Sequence, residues 1–436
     1  MASITVTTSD MVITLTPLEK FFGLRGDVRV PRAALTAARL VSNPYDAVTG
    51  VRAPGISVPG LIRIGTWRRP GRKLFIIGRR GCPGIHFTLR GHRYTDLVVS
   101  TPQGAAILGD LGGHFASSSH SRFSEEDVRF TAGSLELAGT FTTPASDSVG
   151  AVLILPGSGE VDRHSDHRRF PLGISRNLAH DLARRGLASL RYDKRGVGES
   201  GGEFLKTGFH DNTADAEAAL AELRRLVPGL PLFVVGHSEG GMHAALVAAN
   251  HPELAGLILL ATPATTGEVT MRWQAGRIAV GLPPLTKMLL KLLRIDILSQ
   301  QDKTIAKIKA TTTDVARMQG KRFNAKWPRE LMANNPEDAL QRVTMPVLAI
   351  TGDKDIQVNP DDLEIIRQTV QGPVDTRRPK NLTHLLRNDP EIPSVTAYKR
   401  LAKQPTEPEV LSSVGEWVSA RATSLAADVG NGIRTN

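Results

Sequence analysis

The sequence predicts an α/β protein: a mostly parallel, doubly wound sheet with a helical cap, preceded by a small β-rich domain. Three observations carry this. Beyond residue 128, unbroken apolar runs alternate with amphipathic helical patterns, as in a parallel sheet covered on both faces. Before residue 100, short alternating runs are separated by Gly, Pro and Arg. At 436 residues, the chain exceeds what one core usually serves.

In the first region, "ITVTT", "MVITLT", "LIRIGTW", "KLFIIG", "IHFTL" and "DLVVS" read as strands of an antiparallel sandwich or barrel, and Thr101 to Leu111 as a closing helix. The polar stretch Gly112 to Asp127 reads as a linker. Domains are therefore expected at 1–122 and 123–436. In the second, "AVLILPG", "LASLRYD", "LFVVG", "LAGLILLATP" and "PVLAITG" read as buried strands, with helices at Ile174–Arg185, Asp211–Val227 and from Ser238 to His251. About eighty residues, 264–344, separate the last two strands. Within them Leu285, Met288, Leu289, Leu292 and Leu293 recur at helical spacing, with Lys287, Lys291 and Arg294 on the other side. The plain reading is a cap helix over a pocket; the sharper one is a basic amphipathic lid that meets lipid or an acyl chain.

Charge is uneven. Residues 1–122 hold 16 Lys and Arg against 6 Asp and Glu, and the remaining 314 hold 38 against 37. A basic module of this kind is either simply solvated or drawn to a polyanion or an acidic membrane surface. It has no recognition helix or aromatic platform, so nucleic acid is not an expected partner. Cys82 is the single cysteine, which excludes an internal disulfide and suits a reducing compartment. The first residues do not read as a signal peptide, and no apolar run approaches the ~20 residues of a membrane span. A cytoplasmic protein, peripheral to the membrane at most, is expected.

The pattern G-x-S-x-G occurs twice, around Ser200 and Ser238. A nucleophile needs a strand entering the turn and a helix leaving it, so that the hydroxyl stands above the sheet edge. "PLFVVGH" precedes Ser238, and "EGGMHAALVAANHP" follows it. Ser200 lies seven residues past its strand, and no helix follows, so it reads as loop.

A serine hydroxyl needs a base, and on this scaffold the partners follow in the order serine, acid, histidine. Of the histidines after Ser238, His243 and His251 fall in its own helix. That leaves His384. The acid should hang from "PVLAITG", where Asp353 and Asp355 both qualify by position; an ordinary solvated turn is the competing reading. Backbone N–H groups of Glu239 and Ser158 are the expected oxyanion donors, the second from the glycine-rich turn "PGSGE". That turn lacks the spacing of a phosphate-binding loop. In "DRHSDH", His164 and His167 stand beside Asp162 and Asp166, but no third ligand set accompanies them. No metal and no cofactor are expected.

Together, "GHSEGG", "PGSGEVDR", "RYDKRGVGESGG" and "NLTHLL" resemble the α/β-hydrolase superfamily over roughly residues 128–425, in particular its small bacterial esterases and its dienelactone-hydrolase-like or peptidase-like members. The resemblance implies that Asp355, in G-x-x-D-x-x-V (Gly352, Asp355, Val358), is the acid. It also explains Ser200 as part of a D-x-R-G-x-G-x-S loop. Pro156–Gly157 departs from the common His–Gly of the hole. The resemblance implies cleavage of carboxylic esters with hydrophobic acyl groups through an acyl-enzyme. Acyl thioester hydrolysis is the near alternative. A weakly active scaffold acting through the basic module is the distant one. The architecture of residues 1–122 is similar to the pleckstrin-homology-like domains.

Overall fold

The computed structural model describes residues 2–7, 9–23, 26–41, 44, 51–58, 61–69, 72–79, 82–111, 123–167, 170–282, 284–318 and 320–432. The chain divides into two compact units, Met1–Ser121 and Arg122–Asn436. Of the expected linker, residues 112–122 lie outside the described residues and 123–127 belong to a strand.

The first unit is β-rich. Ser3–Val6, Asp10–Thr14 and Val28–Pro31 form an antiparallel three-stranded sheet. A six-stranded sheet runs in the order Leu35–Val41, Gly84–Leu89, Asp96–Ser100, Arg72–Arg79, Ile62–Arg69, Val51–Val58. The antiparallel expectation fails at one pair, because Arg72–Arg79 and Asp96–Ser100 run parallel. Gly84–Leu89 lies between them in sequence but pairs on the far side of Asp96–Ser100, which turns the returning strand round. The run "LFII" reads apolar without alternation because both faces are covered. Phe75 and Ile77 join the main core with Met11, Phe87 and Leu97, while Leu74 and Ile76 join Trp67 and Val98. The helix after these strands spans Gly104–Asp110, three residues later than its expected start.

The second unit is built on eight strands: β1 (Phe123–Ala132), β2 (Leu135–Pro144), β3 (Gly150–Leu155), β4 (Leu187–Tyr192), β5 (Leu232–His237), β6 (Gly256–Leu260), β7 (Val347–Ile350) and β8 (Val374–Arg377). Their order is β1-β2-β4-β3-β5-β6-β7-β8, with every neighbouring pair from β4 to β8 parallel and the two leading pairs, β1 with β2 and β2 with β4, antiparallel. The alternation along β3 explains the unbroken apolar run. Val152 and Ile154 pack on helices α1 (Ile174–Arg184) and α10 (Pro408–Gly432), through Leu178, Leu182, Trp417 and Val418. Ala151, Leu153 and Leu155 face α2 (Phe209–Leu226), α3 (Glu239–Asn250) and α9 (Asp362–Thr369), through Leu220, Val247 and Ile366. This is a doubly wound sheet, and its two cores enclose it.

Between β6 and β7 the chain leaves the sheet. It forms α4 (Gly267–Val280), α5 (Pro284–Leu292), α6 (Ile297–Lys309), a short hairpin, α7 (Lys326–Ala333) and α8 (Pro336–Leu340). Asp296 caps α6, its carboxylate accepting from Leu298 and Ser299 N–H at 3.2 Å each. Ile305, Ile308 and Met332 give the insertion a small core of its own.

Candidate active site

Strand β5 delivers the chain to Ser238, and α3 carries it away. Ser238 is half-buried, with φ 57° and ψ −123°, a conformation that costs a non-glycine residue on the order of 1–3 kcal/mol. Two neighbours must be glycine for this turn to close. A Cβ on Gly236 would sit 2.1 Å from the Gly240 carbonyl oxygen, and one on Gly240 would sit 2.4 Å from that of Leu155. The Ser238 N–H donates to Leu260 O at 2.8 Å, which anchors the turn to β6.

Asp355 follows β7 and His384 follows β8. Their side chains meet at 2.8 Å, His384 Nδ1 to Asp355 Oδ2, with both residues at most 4% exposed. Asp355 Oδ1 accepts from the N–H groups of Gln357 (2.7 Å) and Val358 (2.9 Å), so both carboxylate oxygens are used and the side chain is fixed. Asp353 stands apart. It is exposed, and its Oδ1 accepts from Asn381 N–H at 2.7 Å.

His237, one residue before Ser238, had drawn no attention in the sequence. It is buried, and its Nε2–H donates to the His384 carbonyl at 2.9 Å, since a carbonyl can only accept. Burial, with the nearby His384 second, holds its pKa down at about 3, so the ring is neutral. This bond ties the His384 loop to the turn that bears Ser238. The sequence signal is the histidine inside "GHSEGG", which precedes the serine and so lies outside the order serine, acid, histidine.

Ser158 lies in the exposed turn after β3. The preceding Gly157 packs against the Ser238 turn, where an added Cβ would lie 3.4 Å from the Ser238 Cβ. Glu239 opens α3, its side chain buried. Its Oε1 meets Lys194 Nζ at 3.4 Å and His243 Nε2 at 3.1 Å. Burial alone would raise this carboxyl, but Lys194 and then His243 outweigh it and hold the pKa at about 2. The pairing of residues 194 and 239 left no trace in the sequence.

Ser200 is a clamp in the loop after β4. Its Oγ donates to Asp193 O at 2.7 Å and accepts from Ala138 N–H at 2.9 Å. In the "DRHSDH" stretch, Asp162 Oδ1 accepts from the N–H groups of His164 (2.8 Å) and Asp166 (2.9 Å), which spends it on the turn. Among the described residues, no group of three or more His, Cys, Asp or Glu is placed to hold a metal ion.

A serine on a strained strand-to-helix turn, with an imidazole oriented by a buried carboxylate, supplies the groups that acyl transfer uses. The sequence pattern of the serine aminopeptidase family S33 matches residues 170–391, just over half of the chain and the stretch that contains Ser238, Asp355 and His384. The chain belongs to this family. Among other members of the hydrolase group, esterase EstD of Thermotoga maritima is 27% identical over 256 residues, covering 57% of this S33-family chain and 56% of the esterase. Human monoglyceride lipase is 32% identical over 119 residues, 27% of this chain and 36% of the lipase. The chain thus spans about half the length, or less, of these curated relatives. In structure it is similar to Est1E from Butyrivibrio proteoclasticus, solved with ferulic acid bound, at 18% identity and a TM-score of 0.48, over 68% of this chain and 99% of Est1E. The mostly parallel sheet covered by helices on both faces, in a chain of this family, is the α/β-hydrolase fold.

Proposed function

We propose that this chain is a serine esterase that cleaves carboxylic esters through an acyl-enzyme. Ser238 Oγ attacks the acyl carbonyl and His384 takes its proton. Asp355 orients the imidazole through Nδ1 and stabilises its charged form. The N–H groups of Glu239 and Ser158 receive the oxyanion. The His384 imidazolium then protonates the departing alkoxide, and water, activated by the same imidazole, releases the acid. The observation that carries this reading is the buried 2.8 Å contact between His384 Nδ1 and Asp355 Oδ2, tied through His237 to the turn of Ser238.

Hydrophobic acyl groups are the proposed substrates. In support, the insertion holds an open cleft of about 1090 Å³ in which Val269, Trp273, Val280, Leu290, Ile295 and Leu298 line the wall together with charged side chains that include Arg272, Arg277, Lys291 and Asp302. Gln274 Nε2 of α4 donates to Gln357 O at 2.7 Å, which joins this insertion to the Asp355 loop. The naming of EstD as an esterase agrees with ester rather than peptide substrates. Within this reading, residues 123–436 form the catalytic domain, the insertion at about 264–344 is its cap, and residues 1–122 are a separate basic module of pleckstrin-homology-like architecture.

Pre-steady-state hydrolysis of a p-nitrophenyl ester series tests the proposal. A burst that grows with acyl length, survives Ser200→Ala and is abolished by Ser238→Ala is expected. Turnover that persists in Ser238→Ala, or cleavage confined to aminoacyl amides, would overturn it.

A further inference from the structure

We propose that the insertion binds the phosphoryl group of a soluble small molecule, at a site separate from Ser238 and independent of the esterase reading. Helix α6 has two faces. Leu298 and Asp302 line the cleft described above, while Gln300, Lys303, Thr304 and Lys307 stand on the opposite side. Across from them, the hairpin of Val315–Met318 and Lys321–Asn324 presents Arg317, Met318 and Phe323. Between helix and hairpin lies a second pocket of about 360 Å³, within the size range of small-ligand sites. Met318 and Phe323 pack on Ile305, Ile308 and Met332, which ties this wall to the core of the insertion.

Charge says what the pocket takes. Lys303, Lys307 and Arg317 line it, and no Asp or Glu does. Among the described residues, none of these three side chains forms an ion pair or a hydrogen bond. Like charge is also set against like. Lys303 and Lys307 stand at i and i+4, and Arg317 pairs across the hairpin with Arg322. Arg329 adds a further cation at the margin, its Nη1 donating to Thr311 Oγ1 at 2.5 Å. This arrangement carries self-repulsion that a bound anion relieves. A carboxylate would balance one cation of the three. A phosphoryl group brings a charge of about −1.5 to −2 and three acceptor oxygens, which match the fork of Arg317 and the two ammonium groups. The threonine hydroxyls are spent, because Thr304 Oγ1 donates to Gln300 O at 2.8 Å and Thr311 Oγ1 to Ile308 O at 2.6 Å. Recognition therefore rests on the cations and the Gln300 amide, with Met318 and Phe323 as an apolar wall for the rest of the ligand.

Isothermal titration of the full chain with pyrophosphate tests the proposal. A second arm uses phosphatidylcholine vesicles containing about a third phosphatidylglycerol, which carry the phosphoryl group on a lipid. Saturable binding of pyrophosphate is expected at about 0.1 M salt, weakening by about 0.5 M. Lys307→Gln and Arg317→Gln should each raise Kd about tenfold, and Lys303→Gln/Lys307→Gln/Arg317→Gln should abolish saturable binding. Lys321→Gln, which lies outside the pocket, should change Kd by less than about twofold. These positions are exposed, so thermal unfolding without pyrophosphate should not fall, which checks the fold of each variant. Undiminished binding by the folded triple variant would overturn the proposal and move the anion to another basic surface. A folded parent that shows no saturable binding would also overturn it. So would binding to the vesicles through these residues with none to pyrophosphate, which would make a lipid headgroup the ligand.

Discussion

Lys194 Nζ lies 3.4 Å from Glu239 Oε1, and both side chains are buried next to the turn of Ser238. Two desolvated charges hold each other there, with His243 as a third member. Removing one partner of such a pair typically costs about 3–5 kcal/mol, because the other charge stays buried, whereas removing both is far milder. Lys194→Met should therefore destabilise by about 3 kcal/mol, and Lys194→Met/Glu239→Met should recover most of that loss. Urea unfolding midpoints of the two single variants and the double variant check this, and additive losses would contradict it.

The choice between two neighbouring carboxylates is a direct prediction about activity. Asp355 is buried against His384, and Asp353 is an exposed turn residue. Asparagine at 355 would favour the wrong tautomer of His384, and kcat for a short ester should fall about ten-thousand-fold. Asp353→Asn should stay within a few-fold of the parent. Comparable losses in the two variants would show that the acid has been misassigned.

His237 makes stability depend on acid. Its pKa is about 3 in the folded protein, from burial first, against about 6.5 when unfolded. Below pH 6.5 the unfolded chain binds a proton that the folded chain refuses, so stability falls as pH drops from 6.5 towards 3. The term is absent at pH 7 and amounts to about 2 kcal/mol by pH 5. His237→Gln can still donate to the His384 carbonyl but does not titrate. Its stability deficit at pH 7 should shrink or reverse by pH 5, as read from chemical unfolding at both values.

Asp362 has the opposite sign. Burial raises its carboxyl to about 6, although Ala264 N–H donates to it at 2.9 Å. Between the unfolded value near 3.8 and 6, the folded state binds more protons, so this group subtracts stability as pH rises through that window. Asp362→Asn keeps an acceptor for Ala264 and drops the charge. It should gain about 1 kcal/mol at pH 7 and little at pH 4, the balance after its new amide N–H groups are desolvated. Thermal unfolding at the two pH values measures the difference.

The second unit was legible because its strands are buried on both faces, which writes them as continuous apolar runs such as "AVLIL" and "LFVVG". The helix ends were readable within a few residues, and Ser238 was separable from Ser200 by the strand before it and the helix after it. The first unit was less legible. Val28–Pro31, Leu35–Val41 and Val51–Val58 are strands, yet the last contains Pro54 and Gly55, and its register shifts between Ala53 and Gly55. Such residues signal a turn locally, and only pairing with Ile62–Arg69 overrides them. Contacts distant in sequence, Lys194 with Glu239 and His237 with the His384 carbonyl, were not legible at all. They depend on loops that the sheet brings together, and neither loop alone announces its partner.

Labelling with a fluorophosphonate probe, mapped by peptide mass spectrometry, tests the central claim most directly. The account predicts a single adduct on Ser238, retained in Ser200→Ala, lost in Ser238→Ala and formed far more slowly in His384→Ala. A folded parent protein that takes no label, or takes it on another residue, would contradict it.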